Sequence, residues 1–278
     1  MNYNLNLNKP MKTKGMLMVL LSIFILGLTS IFNSQSAKKL ATTDKYKVIR
    51  VDGRIIFQRT KADMKKGDVF LSGTALSFAT PHSRAAVISG VKGRFVLSSS
   101  EKGQTKILPA ANTISSRSGA LLNKIDLKNH FNGDYLIINE LKLEIGNEAF
   151  PMDEQNFFYL AYEYQNETIR KKLSFNENTL LIDKNEVFKI DGNPIPPMKT
   201  TMGLYYMQNG NGGLISEFTP VFPNIDELKD EVEIILDEFS DKSDDVKIQE
   251  ITAYLGEFYG KPQKDNLALW LISEFDLK

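Results

Sequence analysis

The chain contains no cysteine. That excludes disulfides, thiolate metal sites, a cysteine nucleophile and a lipid-modified N-terminal cysteine, though not export. Histidine is almost as scarce: His82 and His130 are the only two, too few for a His-based metal site or a catalytic relay. Both stand in turn-like settings, Thr-Pro-His-Ser and Lys-Asn-His-Phe-Asn-Gly, and both read as surface side chains. No G-x-S-x-G, H-E-x-x-H or Walker A pattern occurs. Catalytic residues, metal ligands and cofactor sites are therefore all expected to be absent. The last deficit is of one sign of charge: residues 1–43 hold no acid.

Within that acid-free segment Lys12 and Lys14 precede an apolar run, Met16 to Phe32, followed by Asn-Ser-Gln-Ser-Ala and Lys38-Lys39. A basic start, a short apolar run and small residues at its exit describe a secretory signal peptide over residues 1–37, cleaved after Ser36 or Ala37. A retained N-terminal anchor is the alternative, although Ser22, Gly27, Thr29 and Ser30 dilute the run. Either reading exports the rest of the chain, to the periplasm or cell surface of a Gram-negative bacterium. Only residues 16–32, if uncleaved, would meet the membrane.

The whole chain has globular composition, with 42% hydrophobic and 24% charged residues. Its formal charge of zero conceals a gradient. Residues 38–133 carry 18 basic against 6 acidic residues, a net of +12; residues 134–224 come to −6 and residues 225–278 to −9. Two physical readings follow. The segments attract one another inside the fold, or the basic face meets an anionic envelope polymer, lipid headgroups or an envelope protein. Arg54, Arg59, Lys65 and Lys66 are the candidate partner-binding residues. Aromatics do not interleave with these cations, which argues against a nucleic-acid surface.

Residues 38–108 read as a compact β-module. Expected strands are Tyr46–Arg50, Arg54–Gln58, Asp68–Leu71, Leu76–Ala79, Arg84–Ser89, Arg94–Ser98 and Lys106–Leu108, with turn signals at Asp52-Gly53 and Lys66-Gly67-Asp68. Val51-Asp52-Gly53 leads into a strand, Met64-Lys65-Lys66-Gly67-Asp68 follows, and a strand pair ends at Phe95-Val96-Leu97. This order resembles the periplasmic FecR-type domain, where a V-x-G-x-V strand precedes an L-x-x-G-D turn and a strand-rich sandwich. The resemblance spans residues 46–97, about a fifth of the chain, and implies an exported β-module. Signalling members of that family hold a sigma factor through a cytoplasmic N-terminal portion, whereas only about 15 residues precede the apolar run here. A FecR-like periplasmic signalling component is kept as an alternative function.

Residues 109–133, rich in Ser, Asn, Gly and Lys, read as a linker or surface loop. Residues 134–223 read as a second, antiparallel β-region. Its expected strands are Tyr135–Asn139, Leu141–Ile145, Phe157–Tyr164, Thr168–Phe175, Thr179–Asp183, Glu186–Asp191, Gly203–Met207 and Leu214–Thr219. The prolines after Asn193 confine that stretch to an edge or loop. Residues 224–278 change period to an acidic helical region. Ile225, Leu228, Val232, Ile235, Leu236 and Phe239 share one helical face behind an Asn224/Glu227 capping box, and a second helix spans about 244–259. Leu267–Phe275, apolar all round, reads as a third helix in preference to a strand. The expected fold is mainly β, with a helical tail that packs on the β-body or, alternatively, meets a partner protein.

Three further features bear on function. Gly210-Asn211-Gly212-Gly213 precedes a strand rather than a helix, so it reads as a hairpin loop and not a phosphate cradle. Asp241, Asp244 and Asp245 lack EF-hand spacing and read as a solvated helix start. Tyr159, Tyr162 and Tyr164 offer a possible aromatic face for glycan stacking. The chain is thus expected to be a non-enzymatic envelope protein in binding, scaffolding or assembly. A glycan-acting hydrolase using Asp134, Glu140, Asp153 or Glu163 is the enzymatic alternative, since paired carboxylates meet only in the fold.

Overall fold

Strand β1 (Lys45–Asp52) is the spine of the first sheet. It turns at Gly53, where φ is +77°, into β2 (Ile55–Phe57). β3 (Val69–Leu71), β4 (Leu76–Phe78), β5 (Arg84–Ser89), β6 (Gly93–Ser99) and β7 (Thr105–Pro109) follow. β3-β1-β5-β6-β7 form an antiparallel sheet, and β2 pairs with β4 as a separate two-stranded antiparallel sheet. A register shift between Val48 and Arg50 divides β1 between two cores. Val48 joins Ile55, Met64, Leu76, Val87 and Leu97 in one core, shared with this second sheet. Ile49 joins Ala86, Ile88 and Val96 on the opposite side. β5 is therefore buried on both faces, which explains its unbroken Ala-Ala-Val-Ile run.

The computed structural model describes residues 44–100, 105–109 and 119–277, so the expected signal segment and residues 110–118 of the expected linker lie outside it. The remainder of that linker is not all loop. α1 (Lys124–His130) begins at Asn123, whose side chain accepts from the backbone N–H groups of Ile125 and Asp126. This cap starts the helix, and Leu127, His130 and the adjoining Phe131 give it a buried face while Ile125 is exposed.

The second region contains β8 (Asp134–Leu136), β9 (Glu140–Glu144), β10 (Phe157–Tyr164), β11 (Glu167–Lys172), β12 (Ser174–Asn176) and β13 (Thr179–Asp183). It continues through α2 (Lys184–Val187), β14 (Lys189–Ile190), β15 (Asn193–Pro194), β16 (Met202–Gln208) and β17 (Asn211–Val221). The expected strand Thr168–Phe175 is divided at buried Leu173, after which the chain leaves β10 and pairs with β13. The expected strand Glu186–Asp191 begins instead as a helical turn. Asp183, at the end of β13, accepts from Asn185 N and starts α2, leaving only β14 as strand. β16 and β17 meet at Asn209-Gly210, with φ of +48° and +84°, a two-residue turn of the kind that hairpin twist favours.

The main sheet here runs β11-β10-β16-β17-β8, and its last strand is β18 (Lys261–Pro262). β8 pairs in parallel with both β17 and β18, so this sheet is not wholly antiparallel. β12-β13-β9 pack over it around Phe158, Leu160, Leu180, Ile182, Leu204 and Phe218. α3 (Ile225–Glu238), α4 (Asp244–Phe258) and α5 (Lys264–Phe275) close the structure. Leu228, Val232, Ile235, Ile251, Leu255 and Leu271 from these helices complete the core begun by Ile49, Ala86, Ile88 and Val96. The fold is mainly β with a C-terminal helical stretch. No helix among the described residues is long and apolar enough to cross a membrane.

Candidate functional site

Strand alternation turns Lys47, Arg50, Arg84 and Arg94 to the helix side of the first sheet, around an apolar centre of Ala86, Ile88 and Val96. The acids of α3 and α4 meet them there. Lys47 Nζ lies 3.5 Å from Asp237, Lys66 Nζ 2.6 Å from Asp230, and Arg50 Nη1 3.2 Å from Glu231. The fully buried Arg94 pairs through Nε with Glu250 at 3.1 Å and through Nη1 with Glu257. Arg84 donates to the Glu257 carbonyl at 3.3 Å, and its guanidinium stacks 4.4 Å from the Phe258 ring centroid. Much of the charge gradient is therefore satisfied within the molecule.

At the centre of this layer Glu231 accepts from Tyr254 Oη at 2.7 Å and from Tyr259 Oη at 2.5 Å, while Arg50 donates to Tyr259 Oη at 2.5 Å. Burial raises the Glu231 carboxyl above its ordinary range, and outweighs the two phenols and Arg50, which act the other way. Burial, then the Glu231 charge, raises both phenols.

The four basic residues singled out from sequence do not form one patch. Arg54 Nε pairs with Asp63 at 2.9 Å, and Lys66 is committed to α3. Arg59 and Lys65 are exposed. Lys65 lines a shallow depression of about 450 Å³ with Phe57, Asp63, Asp68 and Val69. His82 is exposed at a turn with φ +59°. His130 is not the surface side chain its loop-like sequence suggested. It ends α1 at 5% exposure, its Nε2 2.5 Å from Tyr135 Oη, and burial with Lys261 nearby pushes it down to about 4.

The four candidate carboxylates stand apart. Asp134 pairs with Lys199 at 2.5 Å. Asp153 accepts from the side chain and backbone of Asn156 and from Gln155 N, which hold it below the usual carboxylate range. Glu163 accepts from Thr168 Oγ1 at 2.6 Å. Of the four, only Glu140 lines a cleft of about 330 Å³ beside β11, together with Asp183, Glu186, Arg170 and Lys172. Among the described residues no cluster of three or more His, Asp or Glu side chains is placed to hold a metal.

The aromatic face needs correction. Along β10, Tyr159 points outward with Phe157, but Tyr162 points inward: it is 3% exposed and donates to the Val187 carbonyl at 2.7 Å. Tyr164 shares the inward parity and packs partly buried against the second core. The three tyrosines therefore share no face, because a strand alternates with period two.

The open face recruits β16 instead. Tyr159 lies opposite Tyr205, and Phe157 opposite Met207. The Tyr159 and Tyr205 rings are nearly parallel, at 13° with centroids 5.0 Å apart. Two glycines leave room for the edges of this stacked pair against the sheet. A Cβ at Gly203 would stand 2.5 Å from Tyr205 Cε2, and one at Gly212 would stand 2.6 Å from Tyr159 Oη. Leu214, 41% exposed, lies opposite Tyr205 and extends the surface. On the β11 side Lys172 lies opposite Tyr159, with its Nζ 4.2 Å from the Phe157 centroid, and exposed Arg170 lies opposite Ala161. The result is a half-buried aromatic cluster bordered by two cations. Tyr205 escaped sequence reasoning; the signal for it was Gly203-Leu-Tyr205, a glycine two residues before an outward aromatic.

No protein-family model matches the chain, and no curated protein matches its sequence.

Proposed function

We propose that the chain is an exported, non-enzymatic envelope protein that acts by binding. The observation that carries this reading is the partly exposed apolar cluster of Phe157, Tyr159, Tyr205, Met207 and Leu214 on the open side of the second sheet. Two features support it. The candidate carboxylates are spread over separate loops and strands, each with its own local partner, so they do not converge as acid–base chemistry demands. Cations of the first module are paired with the acids of α3 and α4 and so are not left free for a partner.

The test is cell fractionation with N-terminal sequencing of the full chain in the cell that makes it, followed by co-sedimentation of the purified protein with washed envelopes. An envelope location and saturable binding are expected. Recovery only in the cytosolic fraction, with no sedimentation on envelopes, overturns the reading.

A further inference from the structure

We infer, independently of the envelope reading above, that the free edge of β7 pairs with the same edge of a second copy of the chain. The two strands run antiparallel about a two-fold axis at Ile107.

β7 ends the first sheet, and among the described residues no strand covers its outer side. Thr105, Lys106, Ile107 and Leu108 are all exposed. Ile107 is 57% and Leu108 37% exposed, on opposite faces of the one strand. An open edge is normally blunted by charge or by shortness. The other long edges follow that rule: Glu140, Lys142 and Glu144 lie along β9, and Glu167, Arg170, Lys171 and Lys172 along β11. β3, β12 and β18 are only two or three residues long. β7 has five residues and a single charge, Lys106.

A proline decides which backbone groups of this edge are free. Pro109 stands opposite Phe95, Ile107 opposite Leu97 and Thr105 opposite Ser99. Residues opposite each other in an antiparallel ladder alternate between pairs that exchange both N–H···O bonds and pairs that exchange none. Pro109 has no N–H to exchange with Phe95. The bonded pairs are therefore Leu108–Val96 and Lys106–Ser98. The N–H and C=O groups of Thr105 and Ile107 accordingly point away from β6, to the open edge.

A second copy matches that edge. With Ile107 opposite its own counterpart, the two residues exchange both N–H···O bonds. Each Thr105 N–H then meets the C=O of Pro109 in the other copy. Every free donor of the edge finds an acceptor, and only the Thr105 carbonyls are left to water. Side chains agree with this register. Ile107 packs on Ile107, and Lys106 lies opposite Leu108, so no like charges meet. Thr105 and Ile107 also border a small apolar recess of about 50 Å³ with Tyr46, Phe70, Phe95 and Leu97, so the contact is apolar on that side. The pairing is short, and a weak dimer is expected.

Sedimentation velocity of the full-length protein, from about 1 to 200 µM, should show a concentration-dependent dimer. Ile107→Pro removes the central donor at a position where the β6 ladder does not use it. Ile107→Lys sets two cations face to face. Each should weaken dimerisation at least about tenfold. Ile125→Lys, which adds the same charge at an exposed site on α1, should leave it unchanged. The chain has no cysteine, so an introduced one reports position without background. Ile107→Cys with a short bis-maleimide should give a covalent dimer, and Ile125→Cys should not. Fluorescence of the single, buried Trp270, remote in the helical layer, confirms that each variant is folded. A monomer throughout that range overturns the inference. So does a dimer that folded Ile107→Pro and Ile107→Lys leave intact, or crosslinking at Ile125 but not at Ile107.

Discussion

Glu231 sits between two phenols and a guanidinium inside a layer otherwise built of leucine, isoleucine and valine. Its raised pKa means that the folded state keeps a proton which the unfolded chain releases near 4.5. Stability contributed by the neutral form is therefore fully present below about pH 4.5 and declines as pH rises through the folded value. His130 acts in the opposite sense. The unfolded chain takes up its proton near 6.5 and the folded chain only near 4, so stability is lost as pH falls through that window, by about 3 kcal/mol in all. Urea midpoints measured from pH 4 to 7 should show this directly: His130→Gln flattens the acid side of the profile, and Glu231→Gln steepens the rise between about 4.5 and 6.5. Parallel profiles for all three proteins would contradict both assignments. Arg94 makes a simpler prediction. It is fully buried between two carboxylates and one of its nitrogens, Nη2, has no partner. Arg94→Ala should cost about 3 kcal/mol in denaturant unfolding, because it strands Glu250 and Glu257 against an apolar layer.

The elements differ in how legible they were. Arg84–Ser89, Phe157–Tyr164 and Thr179–Asp183 were read correctly, because buried or alternating runs bounded by turns leave little choice. α3 was equally plain from its stripe and cap: Asn224 accepts from Asp226 N and Glu227 N. Asn224→Ala should lower stability by about 1 kcal/mol, seen as a shift of denaturant midpoint without a change of slope. α1 was missed because its seven residues are too short to show a repeating stripe, leaving Asn123 and Asp126 at its start and the Leu127–Phe131 spacing as its signals. The candidate surface was half legible. Tyr159 was found, but grouping it with Tyr162 and Tyr164 counted aromatics along a strand without separating the two faces. Its true neighbour, Tyr205, lies 46 positions away and is brought in by the β10–β16 register. That register joins strands separated in the chain by β11–β15, so no local pattern announces it.

At the scale of the whole molecule, the first sheet and the helices hold each other through both apolar burial and charge. The two contributions can be separated by salt. Lys47–Asp237 and Lys66–Asp230 are exposed on the acidic side and are screened readily, whereas the Arg94 and Glu231 contacts are buried. Raising the ionic strength to 1 M sodium chloride should thus lower the melting temperature only slightly, and Lys66→Glu should remove most of that salt response. A large loss of stability in salt would mean that the exposed pairs, not the core, hold the layers together. Charge alone was visible in the sequence as a gradient. Which cations would be spent internally was not, because β1 changes register at Val48 and Arg50 and only the folded sheet reveals which side each arginine takes.

β8 carries a consequence for how the chain matures. Its three residues, Asp134–Leu136, lie between Thr219–Val221 on one side and Lys261–Pro262 on the other, both in parallel register. A ribosome or a translocation channel delivers β8 long before either neighbour arrives, so the middle of this sheet stays unzipped until nearly the whole chain has emerged. Pairings across such separations close late and slowly. The middle of this sheet is therefore completed only when nearly the whole chain is available to fold.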